Sequence, residues 1–490
     1  MEGVNLSAVF DDTNQISVIR GASFLLREAT KAYKKAYENH PALKNWQVIS
    51  NGASIGLYSF EAEHIDAAEE VKEILVRALN TDEQFQHFTF VVDIQADTQD
   101  FTHDKEALIA RNRFRQMQQL SLVIPEKNEK NTAVCTLTNL APAVKEARIG
   151  EELKEISTSV QVRLEHGRKE KQGFYQKERA AIQNNESANS GELDYVESLQ
   201  EIAFKTGTLK NKIAVLYLDG NKFSAIQREH CQQVSDIQDF DQLMQNNRRD
   251  FLNKLHELIC NDPDFANYKK MRLETLLWGG DEMLLVVPAS KGLKLLSFFY
   301  ECSKDWAFRD VAPFTHAGGL VFCRAKTPIR RIRKYAQELA DFVKSQDRTK
   351  NLFDYSVLES IDYPSETPEK LRKKIYSDFL LKDYKPLMPF TKQGLIALSE
   401  LKNSKNSVSK TQAYKLARAS TQSEDEFKKA YARFSIVLNN SEREKSIKQF
   451  LEKAFPTQSE CWQWIHLVEL WDYIDETLTA HAFPECAESC

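Results

Sequence analysis

Two short stretches hold the residue types that could do chemistry. LLWGGDEMLLVV (276–287) sets two glycines and two carboxylates, Asp281 and Glu282, between apolar runs. LYLDGNKFSAI (216–226) is an apolar run that ends in Asp219 and then turns through Gly-Asn-Lys-Phe. A Gly-Gly pair between apolar residues is by itself a hairpin turn kept wet by acidic neighbours. A carboxylate closing a buried strand is different, because burying its charge is costly unless something compensates it. If the two stretches meet, their three carboxylates repel one another and are stabilised by a cation. Hard oxygen donors suit Mg²⁺ or Mn²⁺, which keep several waters and bind together with substrate phosphates. Without Cβ atoms, Gly279 and Gly280 would let a nucleotide lie against the hairpin backbone. Lys344 and Arg348, spaced i, i+4 at the end of a helix, could grip a triphosphate. Taken alone, that pair reads as a solvated helix end favoured by the dipole. Carboxylates on one side and cations on the other suit two-metal attack of a 3′-hydroxyl on an α-phosphate.

The elements that must position these groups are legible between 210 and 348. KIAVLYLD (212–219) reads as a strand, and apolar residues at helical spacing mark a helix over 238–260. A strand to Trp278, the Gly-Gly turn, the strand MLLVVP and a helix from about 290 to 305 follow. The strand FTHAGGLVFC and a helix from Pro328 to about Ser345 complete the run. This is the order of the split βαβ plan, in which the first strand is central and neighbours the strand after the hairpin. Asp219 is therefore expected near the 278–282 turn. The N-terminal part repeats the order: a strand at LSAVFDD, a helix over 20–37, strand-turn-strand over 45–60, a helix over 61–80 and a strand over 87–96. Its hairpin carries Asn51-Gly52-Ala53-Ser54, a neutral turn that would bind metal poorly, and Asp11 and Asp12 do not replace the missing carboxylates. That half is expected to be structural or to contact the nucleotide base. Residues 163–195 read as a charged helical arm ending in a flexible Asn/Ser/Gly-rich linker. Beyond 385, helical periodicity recurs over 391–403, 409–419, 424–438, 442–454 and 460–476.

Bulk properties exclude several classes. A chain of 490 residues is too long for one core, so several domains are expected. A net charge of −5 argues against a global nucleic-acid binder, so any polyanion site must be local. No apolar run approaches the roughly 20 residues a membrane span needs, and MEGVNLSAVFDD lacks a signal core, so a cytoplasmic protein with no membrane partner is expected. The eight cysteines form no CxxC pair, which removes zinc-ribbon spacing and leaves free thiols. Cys486 and Cys490 with His481 read as a frayed C-terminus rather than a metal site. Walker A, GxGxxG and HExxH motifs are absent. His103-Asp104 reads as part of a polar loop with no second ligand set, so an HD nuclease is not expected. The aromatics of CWQWIHLVELWDYI fall at helical spacing and are expected in a core.

LYLDGNKF, WGGDEMLLVVP and FTHAGGLVFCRAKTPIRRIRKYAQELADFVK together resemble the palm domain shared by GGDEF nucleotide cyclases and the large subunit of type III CRISPR effector complexes. The CRISPR subunit is the nearer of the two. Its hairpin strand tends to run into a proline, as at Pro288, and its final strand into Lys-x-Pro-Ile, as at 326–329. A Cys segment with Pro-Ala after the first palm has its counterpart in CTLTNLAPA (135–143). Two departures stand out: Asp-Glu replaces the usual Asp-Asp of the CRISPR subunit, and Met283 replaces the Phe of the cyclases. The resemblance implies an α+β chain of two tandem ferredoxin-like palm domains (βαββαβ) and an all-helical C-terminal domain. Residues 1–125 would form a degenerate first palm, 126–208 a helical linker region, 209–385 the second palm and 386–490 the helical domain. It implies Asp219, Asp281 and Glu282 as catalytic ligands of two Mg²⁺ or Mn²⁺ ions. Gly220, Asn221, Phe223, Ser224, Gly279 and Gly280 would shape the nucleotide site, and Lys344 and Arg348 would contact phosphates. The implied activity is joining ATP into a cyclic or linear oligoadenylate messenger in prokaryotic antiviral defence, with RNA or effector-complex proteins as partners. A GGDEF-type dinucleotide cyclase using GTP is one alternative. A non-catalytic RNA- or protein-binding scaffold is the other, motivated by the basic runs QVRLEHGRKEK (161–171), RRIRK (330–334) and EKLRKKIY (369–376).

Overall fold

The computed structural model describes residues 1–38, 43–52, 54–118, 133–180, 194–267, 270–359, 366–404 and 407–475. The C-terminal residues His481, Cys486 and Cys490 and most of the 181–195 linker lie outside them. The chain forms two units. The first comprises Met1–Asn184, Lys222–Arg249 and Leu276–Asp281, and the second Asn185–Asn221, Asp250–Thr275 and Glu282–Cys490.

In the first unit the expected order of elements recurs, with altered bounds. Strand β1 (Glu2–Val4) is followed by helix α1 (Ile16–Glu38), strands β2 (Leu43–Asn51) and β3 (Gly56–Ala62), helix α2 (Ile65–Thr81) and strand β4 (Thr89–Val91). LSAVFDD is not a strand: Ser7–Phe10 is a single helical turn. The strand ends earlier because Asn5 takes a left-handed φ of 52°, a conformation Asn tolerates, and reverses the chain. Two antiparallel ladders, β1–β4 and β2–β3, are joined by a single bridge from Glu2 to Ile55 rather than forming one continuous four-stranded sheet. Helix α3 (Phe101–Gln118) takes in His103 and Asp104, which are therefore helical and not looped. Asp104 accepts hydrogen bonds from the Thr98 amide at 2.9 Å and hydroxyl at 3.0 Å, tying down the entry to that helix. The 126–208 region is less helical than expected, since β5 (Lys145–Ile149) and β6 (Glu152–Ile156) form a hairpin before helix α4 (Thr158–Ala180). Cys135 packs in an apolar cluster with Val18, Ile149, Ile156 and Leu164, so the CTLTNLAPA segment serves a core.

Helices α1 and α4 cross at two glycines. A Cβ on Gly21 would lie 1.8 Å from the Arg163 carbonyl oxygen, and one on Gly167 would lie 1.9 Å from that of Ser17. Only backbone fits at that crossing. It is flanked by Arg20, donating to the Gly167 carbonyl at 2.7 Å, and by Arg163, which donates to the Val9 carbonyl and pairs with Asp12 at 2.6 Å. Arg163 of the first basic run is thus buried structure, and Asp12 is committed to it.

The second unit is built on strand β7 (Lys212–Gly220), all nine residues of which are buried. In the chain it is followed by helices α5 (Phe223–His230) and α6 (Val234–Cys260), which belong to the first unit up to Arg249, and by strand β8 (Glu274–Gly279), which enters the first unit at Leu276. Strand β9 (Glu282–Pro288), helix α7 (Gly292–Ser303), strand β10 (His316–Arg324), helix α8 (Ile329–Gln346) and strand β11 (Leu352–Val357) then continue the second unit. The sheet runs β8-β9-β7-β10-β11. Strand β7 is therefore central, as the split βαβ order requires. Strand β11, parallel to β10, was not evident in LFDYSV because an Asp interrupts the apolar run. That residue, Asp354, is fully buried and pairs with Arg372 at 2.5 Å, so the third basic run also spends an arginine on structure.

The C-terminal helices Lys392–Asn403, Lys410–Gln422, Glu424–Leu438, Ser441–Ala454 and Glu460–Leu470 fall where periodicity places them. Their starts follow from caps: Thr391, Ser409, Ser423 and Asn440 each accept an amide of the first turn, and Ser409 with Gln412 completes a capping box. Trp462, Trp464 and Tyr473 are buried, so these aromatics are core. Among the described residues no helix is long and apolar enough to cross a membrane.

The glycine crossing gives the first prediction. Gly167→Ala should destabilise the protein by about 3 kcal/mol, because a methyl forced against backbone cannot be accommodated by a rotamer change. Urea unfolding followed by circular dichroism measures it, and an unchanged midpoint would show that the helices separate freely.

Candidate active site at the end of the central strand

Strand β7 carries Tyr217 and Asp219 on one face, since side chains alternate along a strand. In the antiparallel ladder with β9, Glu282 lies directly opposite Asp219 and Leu284 opposite Tyr217. Directly opposed residues share a face with Cβ atoms about 5 Å apart, so two carboxylates stand side by side at the end of the sheet. On the other flank Ala317 of β10 opposes Asp219 and presents only a methyl group.

The countercharge comes from helix α8. Lys344, in its last turn, places its ammonium 2.6 Å from Asp219 Oδ2 and donates to the Gly220 carbonyl at 2.9 Å. Both side chains are nearly buried, 15% and 12% exposed, which makes this pair worth more than a solvated one. Arg348 does not point the same way: its Nε donates to the Lys344 carbonyl at 3.1 Å, closing its own helix. Tyr217 has its phenol pKa pushed far up by burial and then by the charges of Glu282 and Asp219. Asp341, one turn before Lys344, is raised by burial, an effect Lys344 and Arg348 oppose. His316, beside Gly220 in the β10 ladder, is held neutral with a pKa lowered to about 3 by burial and by Lys344.

The remaining expected nucleotide contacts separate into roles. Asn221 is buried, with its amide donating to the Thr315 hydroxyl at 3.1 Å and the Lys350 carbonyl at 3.3 Å, so it ties loops together. Phe223 packs edge-on against Phe240 with centroids 6.2 Å apart, which anchors α5. Ser224 is exposed. Gly280 has φ of +57° and open space where a Cβ would stand, so turn conformation demands glycine there. Its carbonyl accepts from Arg248 at 2.6 Å. Gly279 is buried beside it.

Among the described residues no group of three or more His, Cys, Asp or Glu is disposed to hold a metal ion. The chemistry of the two opposed carboxylates nonetheless fits a hard cation, and an ammonium already stands against one of them. Mg²⁺ is commonly held by one or two carboxylates completed by substrate phosphates. Tyr217, Asp341 and His316 were missed in the sequence. Asp341 could have been found from its i, i+3 spacing to Lys344, and Tyr217 from its i, i+2 spacing to Asp219.

The topology is that of a mixed α/β chain with a central strand β7 and a helical C-terminal region. No family model matches the chain, and no curated protein sequence matches it. Solved structures do. The chain has the fold of Csm1, the large subunit of type III CRISPR effector complexes. It matches Csm1 in T. onnurineus at a TM-score of 0.50 and 12% identity, covering 96% of this chain and 68% of that one. It matches the Csm1–Csm4 cassette in complex with pppApApA at 0.55 and 12%, covering 97% and 68%. The cassette in complex with one ATP matches at 0.52 and 12%, covering 96% and 69%.

The Lys344–Asp219 pair yields a prediction. Lys344→Met should cost about 3 kcal/mol of stability at neutral pH by leaving a nearly buried carboxylate without its partner. Millimolar Mn²⁺ should restore part of the loss. Thermal melts with and without Mn²⁺ measure both effects, and a variant as stable as wild type would remove Lys344 from the site.

Proposed function

We propose that the chain is a metal-dependent nucleotidyltransferase that joins ATP into a cyclic or linear oligoadenylate, as part of a type III CRISPR-like antiviral assembly. The observation that carries this reading is the pairing of Glu282 with Asp219 at the end of the central strand, beside the Gly-Gly turn. The Csm1–Csm4 cassettes bound to ATP and to pppApApA support it, because their fold spans nearly all of this chain. We read the two βαββαβ runs as tandem palms, the first without acidic residues in its hairpin.

Asp219 and Glu282, with Asp281 next to Glu282 in the chain, would hold Mg²⁺ or Mn²⁺. When bound, the metal supplies charge neutralisation on the triphosphate and a lower pKa for an attacking hydroxyl. In the reaction the 3′-hydroxyl oxygen of one ATP bonds to the α-phosphorus of the next and the bond to pyrophosphate breaks. Lys344 stands 2.6 Å from Asp219 in this nearly buried setting and helps balance the negative charge that a substrate brings. Gly280 holds the turn open, and Asn221 and Phe223 fix the loop and helix that leave the strand. Arg348 lies one turn beyond Lys344, in reach of substrate phosphates if its bond to the Lys344 carbonyl opens.

A GTP-using dinucleotide cyclase is disfavoured by Met283, which is buried in the sheet opposite Leu218 rather than offered at the turn. A scaffold reading is weakened at Arg163 and Arg372, which two of its three basic runs spend on ion pairs, while Arg168, Lys169, Lys373 and Lys374 of those runs stay exposed.

The test is incubation with Mn²⁺ and each labelled nucleoside triphosphate, alone and with its effector-complex partners and RNA, followed by mass analysis. ATP should give an oligoadenylate that disappears in the Asp281→Ala, Glu282→Ala variant. A product from GTP alone would favour the cyclase, and a product that survives the double substitution would place catalysis elsewhere.

A further inference from the structure

In the first unit, a cavity of about 100 Å³ is lined by both hairpin turns, Asn51–Gly52 and Gly279–Gly280, together with Arg27, Glu178 and Arg249. Arg248 also borders it. That volume is room for about three waters, enough for one phosphoryl group and too little for a nucleoside. Three guanidiniums at one small void are unusual unless an anion joins them, and here a side chain supplies it. Glu178 accepts from Arg27 at 2.5 Å and lies 3.3 Å from Arg249 Nε. Burial opposes its ionisation, but Arg27 and then Arg249 hold its pKa below the usual carboxylate range. Asp241 and Asp281 also act on Arg248. Asp241 is drawn toward its neutral form by burial while it accepts from the Asn51 amide at 3.1 Å.

The arginines are preorganised. Arg27 lies 5.5 Å above the Phe174 ring, which stacks on Phe24 and meets Trp278 edge-on, one residue before Gly279. Arg27 and Glu178 ride on the helices locked at the Gly21–Gly167 crossing. Rigid guanidinium forks of this kind match phosphate oxygens two at a time.

We propose that Arg27, Arg248 and Arg249 form a site for one phosphoryl group of the polyphosphate chain of a nucleoside triphosphate, the rest of the chain lying outside the cavity, and that Glu178 is the internal anion this group displaces. This deepens the preceding reading and rests on it for the identity of the nucleotide. It gives the first hairpin, Asn51–Gly52, a role as one wall of a phosphate pocket.

The test is calorimetric titration of the full chain with inorganic tripolyphosphate, and separately with adenosine, in the absence of divalent metal. Tripolyphosphate should bind wild type, bind at least tenfold more weakly to Arg27→Gln, Arg249→Gln, and bind severalfold more tightly to Glu178→Gln. Adenosine should not discriminate among the variants. The Glu178 variant carries the test even if the double arginine variant fails to fold, because loss of a merely structural carboxylate would not tighten binding. Absent binding to wild type, equal binding to the arginine variant, or weaker or unchanged binding to Glu178→Gln would each overturn the proposal. Arginine-dependent binding in a chain that makes no product from ATP would overturn the proposed reaction and leave the phosphoryl site standing.

Discussion

A carboxylate at the end of a fully buried strand is the constraint on which the second unit depends. A carboxylate in this nearly buried place, opposite Ala317, is costly without a compensating charge, and the fold answers with Lys344 from helix α8. That one ion pair joins the central strand to the last turn of a helix more than 120 residues away in sequence and fixes which end of the sheet is polar. Glu282 then sets a second carboxylate directly opposite the first. Hard oxygen donors set side by side in this way are the kind that receive a cation together with a polyphosphate.

The same logic of charges set by rigid crossings runs through the first unit. Gly21 and Gly167 bring two long helices into backbone contact, and the helices carry Arg27 and Glu178 to the wall of a small void. The neutral Asn51–Gly52 turn, poor as a metal site, lines that void with Gly279–Gly280. Loss of acidic residues from the first hairpin is therefore compatible with a role in binding phosphate, where carboxylates would repel.

Much of this was legible from periodicity and chemistry. The run KIAVLYLD ends in Asp where a strand nears its end, and the split βαβ order brings the 278–282 turn near it; the register that sets Glu282 opposite Asp219 is seen only in the structure. The five C-terminal helices were legible because each begins at a Ser, Thr or Asn cap or at a clear break in periodicity. What escaped has physical reasons. Strand β11 hid because its buried Asp354 is held by Arg372 and by the Tyr384 hydroxyl, partners no local pattern reveals. Helix α3 hid because FTHDKEALIARNRFRQMQ has no continuous apolar stripe. The i, i+4 spacing of Lys344 and Arg348 was real, but tertiary charge drew one inward to Asp219 while the other turned back on its own helix. The arginine site was invisible because Arg27, Glu178 and Arg249 come from three separate helices.

The central claim, that Asp219 and Glu282 are the cation-binding end of a nucleotidyltransferase sheet, is tested most directly by anomalous diffraction. Crystals of the chain grown with Mn²⁺ and a non-hydrolysable ATP analogue should show an Mn²⁺ peak contacting both carboxylates, with the Lys344 ammonium moved off Asp219. A peak confined to other residues, or nucleotide bound with Lys344 still paired to Asp219 and no metal between the carboxylates, would contradict it.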